Sequence, residues 1–130
     1  MKENLKVVNC CNHVVSVYEN AVFDPAVKGC RGGNKVISFQ PSGYIASALS
    51  TVEALPDMDM EGVKVPIRKR NFASVTDLPE ENCLYIVSSL YATASKELGR
   101  DTSRLLVPHG DVVNEDGKKI GCTGLIRVSA

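Results

Sequence analysis

The sequence carries no net charge, no long apolar run, no CxxC pair and no familiar catalytic motif, and each absence removes a class of function. Fifteen basic and fifteen acidic side chains cancel, so no broad positive field exists to hold DNA, RNA or anionic lipid without specificity. Any anion site must be built locally from a few placed cations. No stretch approaches the roughly 20 apolar residues that span a bilayer, and Met1–Leu5 lacks the positive region and apolar block of a secretory leader. The five cysteines (Cys10, Cys11, Cys30, Cys83 and Cys122) are odd in number, and two are adjacent. That argues against a disulfide scaffold and for a reducing cytoplasm.

Enzyme signatures are also missing. There is no GxSxG, no HExxH and no glycine-rich loop ending in GK[ST]. The only histidines, His13 and His109, are far apart in sequence. Cys10, Cys11, His13 and Cys30 match no standard zinc spacing, and adjacent cysteines on a strand point to opposite faces. Cysteines within apolar runs act as small hydrophobes. No metal, cofactor or catalytic residue is expected.

What is present describes a globular chain of 130 residues, 44% hydrophobic and 23% charged. Its patterning predicts a single α+β domain over 1–130, mostly β-strands, with one main helix near residues 88–98. Residues 1–75 are β-rich and 76–130 mix strand and helix. Leu5–Asn9, His13–Tyr18 and Asn34–Phe39 are β-branched runs typical of strands. Lys28–Gly33 is too glycine-rich for a regular element, and its amides and cations suit either a phosphate nest or a plain hairpin connection. Tyr44–Leu55 fits helix or strand. Pro56–Gly62 is acidic and reads as an exposed loop. Val63–Phe72 alternates as a strand, with Pro66 marking an edge or a bulge.

Asp77–Asn82 is a turn, and Cys83–Val87 is the continuous apolar run of a strand buried on both faces. Ser88 or Ser89 caps the helix, and Gly99 stops it. Leu105–Val107 forms a strand ended by Pro108. Val112–Val113 and Lys118–Ile120 flank the hairpin signal Asn114–Gly117, and Leu125–Val128 closes the chain as a short strand.

Two groups of cations stand out. Arg68 and Arg70 share a strand face with Phe72, and two guanidiniums beside a ring can hold a nucleotide by its phosphates and base. The same residues would also serve as a solvated strand face that deters edge pairing. Arg100 and Arg104 bracket the junction between helix and strand, where two rigid forks could grip a phosphate. Alternatively Asp101 neutralises one of them in a weak surface pair. Asn82, just before the buried strand, can read a base edge or cap a turn.

Phe72 in its basic strand, Asn82 ten residues later, and Arg100 and Arg104 four apart resemble the ligand-binding set of the Thoeris anti-defence 1 family. These are small phage proteins that act as sponges for cyclic nucleotide immune signals. The likeness spans roughly Val63 to Leu125 and includes Leu84–Leu90, Leu105–Pro108, Asn114–Gly117 and Ile120–Cys122. It departs at Asn9–His13, where related phage-type proteins carry Asn-Leu-Thr-Pro-His. The resemblance implies a non-catalytic protein of the infected cell's cytoplasm. Such a protein binds glycocyclic ADP-ribose, with some members also taking cyclic di- or trinucleotides, and assembles as a homo-oligomer, hexameric in the family. The competing expectation is a small phage or prophage structural protein whose basic strand faces a protein partner, with no nucleotide ligand. An enzyme acting on a nucleotide is the third, with His109 the first residue to test.

Overall fold

A computed structural model describes residues 6–79 and 82–129; the expectations for Met1–Leu5, Glu80 and Glu81 lie outside them. The elements run β1 (Lys6–Asn9), β2 (Val15–Glu19), β3 (Val22–Asp24), β4 (Gly29–Arg31), β5 (Asn34–Phe39), β6 (Ala48–Met60), β7 (Val63–Val75), β8 (Cys83–Ile86), α1 (Ser89–Glu97), β9 (Leu105–Val113) and β10 (Lys119–Arg127). The protein is α+β and mainly β, with its helix where the sequence placed it. No helix among the described residues is long and apolar enough to cross a membrane.

Eight strands form one sheet with the path β1-β8-β9-β10-β2-β5, and the β3–β4 hairpin joins it through β9. β8 lies parallel to both neighbours, β1 and β9, which explains its unbroken apolar composition. Cys83, Tyr85 and Val87 point to the face covered by α1, with Leu105, Ala92 and Ala94. Ile86 points to the other face, where Val15, Val17, Phe39 and Leu106 meet it. The sheet therefore curls so that β2 and β5 close over the side that the helix leaves open. Cys10 joins the first cluster and Cys11 packs on the second, although both lie just past the end of β1 rather than on a strand.

The helix ends follow local chemistry. Ser88 is the N-cap and its Oγ accepts the Tyr91 N–H at 3.1 Å. At the other end the Arg100 N–H donates to the Ser95 carbonyl and the Gly99 N–H to the Lys96 carbonyl. This Schellman closure needs the left-handed φ of +70° that Gly99 supplies. Asn9 is buried yet satisfied: its Nδ2 donates to the His13 and Phe39 carbonyls, and its Oδ1 accepts the Cys11 N–H. This one side chain ties β1 to β5.

Four expectations are corrected. Lys28–Gly33 does contain a regular element, because β4 pairs with β3 and touches β9 at Val112. Pro56–Met60 is strand rather than loop: Met58 and Met60 alternate with Asp57 and Asp59, a period of two that their acidity masks. The true turn is Glu61–Gly62, at φ +52° and +85°, the two-residue geometry that matches strand twist. β9 runs on through Pro108 to Val113, because Pro108 lies beyond the last β8 pair at Leu106 and before the β4 bridge at Val112. Its missing N–H thus costs no ladder bond on that side. Finally, Lys119–Arg127 is one strand, not two short ones. The ambiguity at Tyr44–Leu55 is resolved as strand from Ala48 onward, and Pro66 does sit at a bulge, opposite the register shift between Leu55 and Met58.

Candidate functional site

α1 runs from the end of β8 and delivers its C-terminal turn beside the start of β9. Leu105 pairs with Tyr85, and the Tyr85 N–H donates to the Arg104 carbonyl at 2.8 Å. With Arg100 held by the Schellman closure, both arginine backbones are anchored on rigid elements. Between them lies a cavity of about 530 Å3, within the size range of small-molecule sites. Arg100, Asp101 and Arg104 line one side, Ser95 and Tyr91 come from the helix, and Tyr85 and Leu105 come from the sheet.

The remaining wall is the strand-free segment 76–79, strapped down by four side chains. The Tyr91 hydroxyl donates to the Thr76 carbonyl at 2.5 Å. Tyr44 donates to the Asp77 carbonyl and Tyr85 to the Pro79 carbonyl. Arg100 pairs with the Asp77 carboxylate. Both tyrosine hydroxyls of the cavity are thereby committed to the wall, leaving their rings as its aromatic surface.

Ser95 behaves differently. Its residue is 1% exposed, it lines the cavity, and among the described residues its Oγ has no partner at hydrogen-bonding geometry. The Tyr91 hydroxyl lies beside it: burial raises the Tyr91 pKa, and a side-chain hydrogen bond from Ser95 opposes the rise. The Ser95 hydroxyl thus leans on Tyr91 although it lacks ideal bonding geometry.

Electrostatics favour an anion here only because of the arginines. A helix C-terminus presents carbonyls and the negative end of the macrodipole; Arg100 and Arg104 offset it, with Asp77 and Asp101 beside them. Asp77 raises the Arg100 pKa through a hydrogen bond and through its charge, so that guanidinium stays charged but is shared. Asp101 is held below its ordinary value by Ser103, whose N–H it accepts at 2.9 Å, with the Arg104 charge adding to the effect. Burial pushes the Tyr91 phenol up, opposed by Ser95 and by the Arg100 charge. Among the described residues that line the cavity, Asp101 is thus held below its ordinary pKa and Tyr91 is held above it.

The structure therefore brings Arg100 and Arg104 together and leaves the other sequence candidates elsewhere. Arg68, Arg70 and Phe72 do share one face of β7, opposite Ala54, Val52 and Ser50. Phe72, however, packs against the core at the root of the β6–β7 hairpin, and Arg68 and Arg70 are exposed farther out. None of the three lines the cavity, nor does Asn82, which is exposed in the bend before β8. The partner of Arg100 is Asp77, 23 residues away, not the adjacent Asp101. Sequence reading missed Ser95, Tyr85 and Tyr91; the one local signal was the four-residue helical spacing that puts Tyr91 and Ser95 on one face.

The cysteines carry no competing site. Cys10 is pushed from an ordinary 9.0 up to about 11, first by burial and then by Cys11 and Cys83. A thiol raised that far is a poor nucleophile at neutral pH. Among the described residues no three His, Cys, Asp or Glu side chains converge to hold a metal ion. His109 is exposed on β9 and does not line the cavity. No protein-family model, curated protein or solved structure matches the chain.

Proposed function

We propose that this protein binds a small phosphate-bearing ligand in the cavity at the C-terminal end of α1 and holds it without chemical change. The observation that carries this reading is the meeting of Arg100, Arg104 and the Ser95 hydroxyl in one cavity. Two guanidiniums supply charge-assisted donors for phosphate oxygens, and the serine offers a further donor from a desolvated wall. Leu78 and Pro79 give apolar surface for the remainder of a nucleotide. Among the described residues no general base is placed in the cavity, which favours sequestration over turnover.

The resemblance in Phe72, Asn82, Arg100 and Arg104 supplies the ligand class: a cyclic nucleotide immune signal of the glycocyclic ADP-ribose type, with cyclic oligonucleotides as candidates. On that reading the chain is a phage anti-defence sponge acting in the infected bacterial cell as a homo-oligomer. The test is to equilibrate the protein with a panel of such nucleotides, remove free ligand, heat-denature and identify what is released by mass spectrometry. Intact ligand is the expected product, and Arg104→Ala should release at least about tenfold less, from the loss of one charge-assisted contact. A cleaved product overturns sequestration in favour of a phosphodiesterase. The second reading, an interaction protein with no nucleotide ligand, draws on the exposed β6–β7 ribbon and takes over if no nucleotide is retained.

A further inference from the structure

β6 and β7 form a separate two-stranded sheet of 13 residues each, about 43 Å long at the rise of an antiparallel strand. Its root is anchored where Ala48, Phe72 and Val75 join the core. An isolated two-stranded ribbon is only marginally stable in water, so the outer half of this one needs cover.

The register gives its two faces different characters. On one face, from root to tip, the cross-strand pairs are Thr51–Asn71, Glu53–Lys69, Leu55–Ile67, Met58–Val65 and Met60–Val63. The outer three rows of that face are wholly apolar, and Leu55, Met58, Met60 and Val63 remain 39%, 53%, 43% and 63% exposed. The opposite face carries Arg68 and Arg70 across from Ala54 and the exposed Val52, with the pair Asp59–Lys64 near the tip, and is the more polar of the two. Charge is also divided by strand. β6 holds Glu53, Asp57 and Asp59 and no cation; β7 holds Lys64, Arg68, Lys69 and Arg70 and no acid.

We infer that the apolar face of this ribbon is the docking surface for a second copy of the same chain. The two ribbons pack face to face, tips pointing the same way, about a two-fold axis along their length. That operator lays β6 of each copy over β7 of the other, roughly 10 Å apart as in stacked sheets. Leu55 then faces Ile67 of the second copy, Met58 faces Val65 and Met60 faces Val63. Glu53 faces Lys69 twice, once from each side, and Thr51 faces Asn71. Every row is matched in size or charge, which is the self-complementarity an isologous interface requires. Turning the second copy end for end sets the Glu53–Lys69 row against apolar rows and loses that match. The inference is independent of the ligand reading, because no ribbon residue lines the cavity.

The test is sedimentation equilibrium of the full chain with Glu53→Lys and Lys69→Glu. Wild type should sediment at twice the chain mass or an even multiple of it. Each variant alone places like charges opposite each other at both pair positions and should weaken the pairing by about tenfold or more. An equimolar mixture of the two variants restores both oppositely charged contacts across the interface and should re-form the pair, now as a heterodimer. Circular dichroism of each variant checks that the ribbon is intact, and the wild-type mass decides the question even where a variant misfolds. A monomeric wild type overturns the inference, whether or not it floats with phosphatidylcholine vesicles. So does an oligomer indifferent to both substitutions, or a mixture no better associated than its parts.

Discussion

The body around β8 and the β6–β7 ribbon obey opposite rules. In the body, Ile86, Val87 and Val112 are fully buried, and buried polar groups such as Asn9 are satisfied, with Ser95 the exception among the described residues. In the ribbon, the residues from Thr51 to Lys64 are exposed without a break, and apolar side chains face solvent in matched rows. The body shows what a chain does when it can bury its own hydrophobic face. The ribbon shows a face written in the same alternating code and left for something else to cover. The cavity belongs to the first region.

The contrast should be measurable as stability. Ile86→Ala should lower the unfolding free energy by about 2–5 kcal/mol in urea titrations, the range for truncating a fully buried aliphatic side chain. A loss below 1 kcal/mol would show that the two faces of β8 are not packed as described. Next in size is the N-cap: Ser88→Ala should cost about 1 kcal/mol, and Ser88→Asp should recover most of it.

An alkaline titration tests burial of the N-terminal cysteine. Because Cys10 is raised from 9.0 to about 11, the unfolded chain releases its proton first as pH rises. Its contribution is intact below pH 9, is lost between 9 and about 11, and levels off above that. Cys10→Ala should flatten the decline in that window, measured as the urea midpoint against pH.

Ser95→Ala separates structure from binding. Removing a hydroxyl that leans on the Tyr91 phenol should leave the unliganded protein within about 1 kcal/mol of wild type, while reducing nucleotide retention. A clear destabilisation without ligand would mean that the hydroxyl is satisfied in the apo protein. The smallest effect is expected on the ribbon: Met60→Ala, measured in dilute monomer, should change stability by no more than about 0.5 kcal/mol.

Local signals carried well into the fold. Cys83–Val87 declared a strand buried on both faces, Ser88 and Gly99 bounded the helix, and Asn114–Gly117 made its hairpin, where Asn114 Oδ1 accepts two backbone N–H groups. The errors have physical causes. Acidity hid the period-two pattern of Asp57–Met60, glycines hid β4, and Pro108 signalled a strand end that a gap between neighbouring strands made unnecessary. For the site, the arginine pair was visible because both residues flank one element boundary. Ser95 was not, since a serine on a helix acquires meaning only when the sheet and the 76–79 strap bury it.

The sequence by itself determined the helix and its limits, the buried strand β8, the placement of two arginines at one junction and the alternation of Arg68, Arg70 and Phe72 on one face. All of these depend on interactions within a few residues. Tertiary structure alone decided that Asp77 pairs with Arg100, that Phe72 packs against the core, that Ser95 lines a cavity, and that an apolar ribbon face stays uncovered. Those outcomes depend on which distant segments come to share a surface, and burial, unlike backbone propensity, is a property of the whole chain.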